Sequence, residues 1–271
     1  MVILTAATSE VDGKQISGKQ HTSFSFKSVI QSTVKNAETY GYKTVVYDLN
    51  NLGIGQYYDV KNEYFLSNGH YKREVVTGHK TRALFKPEIV KKCLTENNDL
   101  VVYLDGDAQL NDNIDDINSG DYDIGVTLRE PIEIFYQKKH GFESVNGFVN
   151  AGVLFFNNTE NSMKFVDKWI LLTRDLGNDQ LALNQLLPRK TYPKKFSTIK
   201  IDGIKIKYFP ARTYNYYYFK NIPYFGAKIF HFKSDVRTFY PFNFWKKFKN
   251  LFFHTPVGIV IKLLRPPRQL P

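Results

Sequence analysis

Leu100-Val101-Val102-Tyr103-Leu104-Asp105-Gly106-Asp107-Ala108 is the stretch on which the reading of this chain turns. A short, nearly all apolar run makes a buried strand, and the turn that ends it carries two carboxylates at alternate positions, where both can face one point. Hard divalent cations such as Mg²⁺ and Mn²⁺ favour carboxylate and phosphate oxygens. One or two protein carboxylates plus a substrate diphosphate complete such a site. Two aspartates in a loop are also what a solvated turn or a helix cap contains, so the surrounding chain has to supply the distinction.

Working outward, residues 2–6 are an apolar run that empties into a polar, glycine-containing loop, and residues 23–40 suit a helix closed by Gly41. Residues 43–49 read as a second strand, and Pro87 opens a helix carrying Ile89, Val90 and Leu94. Strand, helix, strand, helix, strand at this spacing predicts an α/β fold built on a parallel sheet flanked by helices, with ligands gathered beyond the carboxyl ends of the strands. Further strands are expected over residues 122–128, 152–156, 204–209 and 228–232, and helices over 163–174 and 179–187. The strand before His231 is expected to join the same sheet.

The chain has 271 residues, 42% of them hydrophobic, enough to fill a substantial core. Its formal charge of +11 is unevenly placed: residues 1–190 hold 21 Lys/Arg against 24 Asp/Glu, residues 191–271 hold 16 against 2. Such asymmetry points to an anionic partner for the last third. The single cysteine, Cys93, excludes an internal disulfide and a cysteine-based zinc cluster. The start of the chain lacks the charged and apolar regions of a signal peptide, and no apolar run approaches the roughly 20 residues that span a bilayer. These features predict a cytoplasmic protein, with peripheral membrane contact open to it.

With these pieces in order, the chain resembles the GT-A fold glycosyltransferases, a Rossmann-like class, and in particular glycosyltransferase family 8 and related nucleotide-diphospho-sugar transferases. The resemblance covers about residues 1–237. It rests on Lys86-Pro87, Asp105-Gly106-Asp107-Ala108, Asn150-Ala151-Gly152-Val153-Leu154-Phe155-Phe156-Asn157, Asn178-Asp179-Gln180-Leu181-Ala182-Leu183-Asn184 and His231-Phe232-Lys233. It implies a GT-A catalytic domain over residues 1–240 that moves a sugar from a nucleoside-diphosphate sugar, UDP by resemblance, to a glycan or lipid-linked acceptor. Asp105, Asp107 and His231 are then the ligands of Mn²⁺ or Mg²⁺, although a lone histidine is otherwise a core or surface residue. Gly106 and Lys233 meet the diphosphate, and Arg82 and Lys86 are further cations within reach of the phosphates. Thr5, Ala6 and Ala7 flank the base and ribose. Asn150, Ala151 and Gly152 line the donor-sugar pocket, although a tight turn before a strand looks the same. Asp179 binds sugar hydroxyls or aids catalysis, with Gln180 near the reacting carbon; an aspartate at a helix start also serves as a plain cap. An inverting reaction needs a carboxylate base, for which Asp179, Glu130 and Asp235 are the candidates. The text after His231 lacks the Gly and Lys-Pro-Trp of family 8, a departure from that exact family's pattern.

Residues 241–271 form a basic, aromatic extension. On a helical wheel Phe244, Trp245, Phe248, Leu251 and Phe252 share an arc opposite Lys246, Lys247 and Lys249. That pattern fits residues 242–265 lying on an anionic membrane surface, or a helix packed on the core with snorkelling lysines. Two other functions compete: a haloacid-dehalogenase-like phosphatase with Asp105 as nucleophile, and a nucleic-acid-binding protein using the basic last third and Tyr214-Asn215-Tyr216-Tyr217-Tyr218. The first normally carries its motif early and follows it with Thr or Val rather than Ala108; the second leaves the ordered motifs unexplained.

Overall fold

The computed structural model describes residues 1–7, 26–48, 63–65, 72–74, 85–131, 133–135, 147–187, 191–217 and 226–231. In chain order these form β1 (Val2–Ala7), α1 (Phe26–Thr39), β2 (Lys43–Asp48), β3 (Glu63–Phe65), β4 (Lys72–Glu74), α2 (Lys86–Glu96), β5 (Val101–Leu104), β6 (Ala108–Leu110), a 3-10 turn (Asp115–Ile117), β7 (Ile124–Leu128), β8 (Val149–Phe156), α3 (Glu160–Leu176), α4 (Asp179–Leu186), β9 (Thr198–Ile201), β10 (Ile204–Pro210), the single turn α5 (Ala211–Tyr214) and β11 (Ile229–His231). The predicted basic extension and the proposed boundary at residue 240 lie outside the described residues.

Seven strands make one sheet in the order β2-β1-β5-β8-β7-β10-β9. β2, β1, β5, β7 and β10 run in one direction; β8 and β9 run in the other. The architecture is the expected α/β one with a mostly parallel central sheet. β8 departs from strict parallelism because it returns between β5 and β7 and pairs antiparallel with both.

Alternation along the strands sorts the core into two layers. Val2, Leu4, Val101 and Tyr103 point to the face covered by Val90, Cys93 and Leu94 of α2, Phe165 and Trp169 of α3, and Ala182 and Leu183 of α4. Ile3, Val102 and Leu104 point to the opposite face, where Ala37 of α1, Leu110, Ile114, Tyr214 and Ile229 cover them. Helices α2 and α3 carry their own terminal signals. Pro87 lies in the first turn of α2, the Thr159 side chain accepts from the Ser162 N–H at the start of α3, and Gly177 ends that helix with φ 62°. Cys93 is buried, and burial pushes its thiol up to about 11.

Two departures from the sequence reading shape the site. The strand leading to His231 does not join the main sheet. β11 pairs antiparallel with β6, setting His231 opposite Ala108, because the Asp105-Gly106-Asp107 turn carries the chain out of the sheet and leaves β6 an open edge. On its other side β11 is held by Tyr216, whose N–H donates to Ile229 O at 2.8 Å and whose carbonyl accepts from the His231 N–H at 2.9 Å. The second departure concerns Asn150-Ala151-Gly152, which is no turn before a strand but part of β8 itself. Val126 pairs with Leu154 while the next residue, Thr127, pairs with Asn150, so Ala151, Gly152 and Val153 have no partner on β7. This is a bulge, the local irregularity by which a sheet re-aims side chains beside a site. The buried Thr127 hydroxyl lies across it, 3.1 Å from Asn150 O and 3.3 Å from Val153 O.

Candidate active site

Asp105, Asp107 and His231 meet at the carboxyl end of β5. One ligand atom from each lies within 4.8 Å of the others. His231 Nε2 is 3.2 Å from Asp107 Oδ1 and 3.7 Å from Asp105 Oδ2. The turn that presents the aspartates is braced from both sides: the Asp105 N–H donates to Gly152 O at 2.8 Å, and Thr33 of α1 donates its hydroxyl to Gly106 O at 3.0 Å. A Cβ on Gly106 would come within 3.1 Å of Ile30, so the turn also sits tight against α1.

His231 reaches this point because Gly152 has no side chain. A Cβ there would fall 2.2 Å from His231 Cε1 and 2.7 Å from Nδ1, closer than real contacts allow. The small residue expected to admit a sugar therefore admits the imidazole. On its far side the ring places Nδ1 2.9 Å from Asn215 Oδ1. Asn215, fully buried, gives its amide protons to Thr127 Oγ1 at 2.8 Å and Asn150 Oδ1 at 3.0 Å. Asn150 Oδ1 also accepts from the Gly152 N–H at 2.8 Å.

Behind the aspartates lies Lys86, on α2 and buried. Its ammonium is 3.0 Å from Asp105 Oδ1, 3.0 Å from Asp179 Oδ2 and 2.9 Å from Ala151 O, and 5.0 Å from the centre of the Tyr103 ring. Burial opposes charge on Lys86, but the Asp105 and Asp179 carboxylates outweigh it and hold the ammonium well above its ordinary pKa. Burial likewise opposes charge on Asp105. The Lys86 ammonium, His231 and the Tyr103 hydroxyl, which donates to Oδ1 at 2.9 Å, outweigh that and keep its carboxyl below the usual carboxylate range. An anionic Asp105 is what a hard cation requires.

Asp179 does not cap α4. That role belongs to Asn178, whose side chain accepts from the Leu181 N–H, which leaves the Asp179 carboxylate to the Lys86 pair. Gln180 accepts from the Ala151 N–H at 2.8 Å and donates to Val149 O at 2.7 Å, fastening α4 to the bulged strand. Thr5, Ala6 and Ala7 end β1, beside β5. Glu130 is held at 2.9 Å by Lys195. Arg82, Lys233 and Asp235 lie outside the described residues.

The side chains present suit a hard or borderline divalent cation: two carboxylates, an imidazole facing them through Nε2, and a polar partner on the imidazole's other nitrogen. Three contributors were not singled out from sequence: Tyr103, Thr127 and Asn215. Tyr103 alone left a local signal, standing two positions before Asp105 and so on the same side of the strand.

No family profile matches this sequence, and no curated protein matches it. Solved structures do. A glycosyltransferase involved in glycosylation of the major capsid of PBCV-1 is similar over 88% of this chain and 94% of its own, at 11% identity and a TM-score of 0.48. The apo form of the glycosyltransferase GlyE of Streptococcus pneumoniae TIGR4 is similar over 97% of this chain and 61% of its own, at 15% identity and a TM-score of 0.47. The galactosyltransferase LgtC, in complex with donor and acceptor sugar analogs, is similar over 99% of this chain and 98% of its own, at 15% identity and a TM-score of 0.46. Each of these three solved structures is of a glycosyltransferase.

Proposed function

We propose that the chain is a metal-dependent glycosyltransferase of GT-A type that takes a sugar from a nucleoside-diphosphate donor, UDP-linked, and passes it to a glycan or lipid-linked hydroxyl. One observation carries this reading: two carboxylates from the β5–β6 turn and an imidazole from the distant β11 converge within 4.8 Å at the carboxyl end of a parallel strand, where α/β sheets gather their ligands. Asp105, Asp107 and His231 would hold Mn²⁺ or Mg²⁺. Bound there, the ion supplies Lewis acidity that stabilises charge on the departing nucleoside diphosphate.

The protein's own groups divide the remaining work. Lys86 holds Asp105 and Asp179 in place, its ammonium being shared among three protein oxygens. Asp179, anchored through Oδ2, offers its other oxygen to hydroxyls of the donor sugar. Asn150, Ala151 and Gly152 form the wall beside it, with Gln180 fixing Ala151 from behind. Thr5, Ala6 and Ala7 flank the nucleoside at the end of β1, and Gly106, Arg82 and Lys233 are the groups assigned to the diphosphate.

Attack by Asp105 on a phosphate ester is disfavoured by the same geometry. Its Oδ1 sits between the Lys86 ammonium and the Tyr103 hydroxyl, and its Oδ2 faces His231. Two strong donors already on Oδ1 suit a ligand better than a nucleophile.

A thermal-shift panel of UDP-, GDP- and CMP-sugars with and without Mn²⁺ tests the proposal, because a ligand that binds only the folded state raises its stability. A Mn²⁺-dependent shift with UDP-sugars is expected. No shift with any of them, together with hydrolysis of simple phosphate esters, would overturn it.

A further inference from the structure

We infer that Asn215 is a positioning residue for the cation site: it holds His231 with a proton on Nδ1, so that Nε2 is the nitrogen presented to Asp105 and Asp107. The inference rests on the metal reading above.

It follows from hydrogen-bond accounting that starts at a group with no freedom. The Gly152 backbone N–H is a donor only, so the Asn150 side-chain atom 2.8 Å from it is the carbonyl oxygen. That oxygen lies 3.0 Å from the Asn215 side chain, which must offer it the NH₂ group. The second NH₂ proton goes to Thr127 Oγ1 at 2.8 Å, a hydroxyl free to donate its own proton across the bulge to a backbone carbonyl. The orientation of Asn215 is thereby settled, and its carbonyl oxygen is the atom 2.9 Å from His231 Nδ1. A carbonyl oxygen only accepts, so Nδ1 carries the proton. Turning the Asn215 amide over would set its oxygen against Asn150 Oδ1 in a place shielded from bulk solvent, since Asn215 is 0% exposed and Asn150 7%.

Asn215 is itself poorly able to move. Its N–H donates to Ala211 O at 2.9 Å as α5 ends, and the next residue is locked to β11 through Ile229 and His231. The chain of contacts therefore runs from a bulge in the main sheet, through two buried amides, to one ring nitrogen. Side-chain partners of this kind orient ligating histidines and raise their affinity for metal.

The test uses the full chain, uniformly ¹⁵N-labelled, and two variants: Asn215→Leu, which removes the acceptor, and His231→Ala, which identifies the signal. Wild-type protein is expected to show an exchange-protected imidazole Nδ1–H cross-peak that disappears in H231A and N215L. Mn²⁺ titrated in the presence of UDP, with free ion followed by electron paramagnetic resonance, is expected to bind about 10- to 100-fold more weakly to N215L. A wild-type His231 bearing no proton on Nδ1 would overturn the inference without any variant having to fold. So would a folded N215L that binds Mn²⁺ as wild type does. If wild-type protein with UDP takes up no Mn²⁺, the metal reading itself fails, and the inference with it.

Discussion

The Lys86 ammonium lies 3.0 Å from Asp179 Oδ2 and 3.0 Å from Asp105 Oδ1, so one buried cation serves a carboxylate at the start of α4 and another at the end of β5. Removing it would leave Asp179, 5% exposed, as an unpaired buried charge. Lys86→Met is expected to cost about 3–5 kcal/mol of unfolding free energy, measured by urea denaturation. The double variant K86M/D179N should recover part of that loss, because it removes the orphaned charge along with its partner.

Asp105 and Asp107 should separate when stability and activity are measured side by side. Asp105 is tied to Lys86 and Tyr103; Asp107 faces His231. Both Asp→Asn variants are expected to lower Mn²⁺-dependent cleavage of a UDP-sugar by on the order of 100-fold or more, the scale of several kcal/mol of charge stabilisation. D105N should also unfold at lower urea, because it weakens the pairing with buried Lys86, whereas D107N should unfold within about 0.5 kcal/mol of wild type. Equal activity in D107N and wild type would count against the metal reading.

Gly152→Ala tests the space given to the imidazole. With a Cβ only 2.2 Å from His231 Cε1, either the ring or the bulge must shift. We expect a loss of Mn²⁺ affinity larger than tenfold, on the scale that displaced outer contacts produce, with the far-ultraviolet circular dichroism unchanged. Normal Mn²⁺ binding by G152A would show that His231 does not depend on that gap.

Asp123 provides a control remote from the site. Its buried carboxylate accepts from Thr159 Oγ1 at 2.7 Å, Asn161 Nδ2 at 3.2 Å and the Lys205 N–H at 2.8 Å, joining the approach to β7, the start of α3 and β10. Asp123→Ala should destabilise the fold by about 1–3 kcal/mol through the donors it leaves unmet. Donor and Mn²⁺ affinity, measured below the unfolding range, should not change.

Most of the sheet was legible because β1, β5 and β7 are concentrated apolar runs, which burial on a sheet demands, and because β10 alternates inward Ile204, Ile206 and Tyr208 with outer lysines. β9 was not, since Thr198-Ile199-Lys200-Ile201 is a half-exposed edge in a basic region. β6 was not either, because three residues carry no periodicity of their own. That Asp105, Asp107 and His231 meet was legible from the order of the motifs; the route by which His231 arrives was not. Its ribbon exists only because β6, the edge it pairs with, leaves the main sheet. Asn215 and Thr127 stayed hidden for a related reason: each acts through partners far away in sequence, and an asparagine after a tyrosine announces nothing by itself.

The bulge in β8 has a bearing on how this segment can change over time. Leu154 and Phe156 face the same layer as Val149 and Ala151, although an unbroken strand would set these two pairs on opposite faces. The extra residues shift the phase of the strand's side chains while lending Gly152 to the imidazole. Loss or gain of a single amino acid between 150 and 153 would flip one end of the strand inside out.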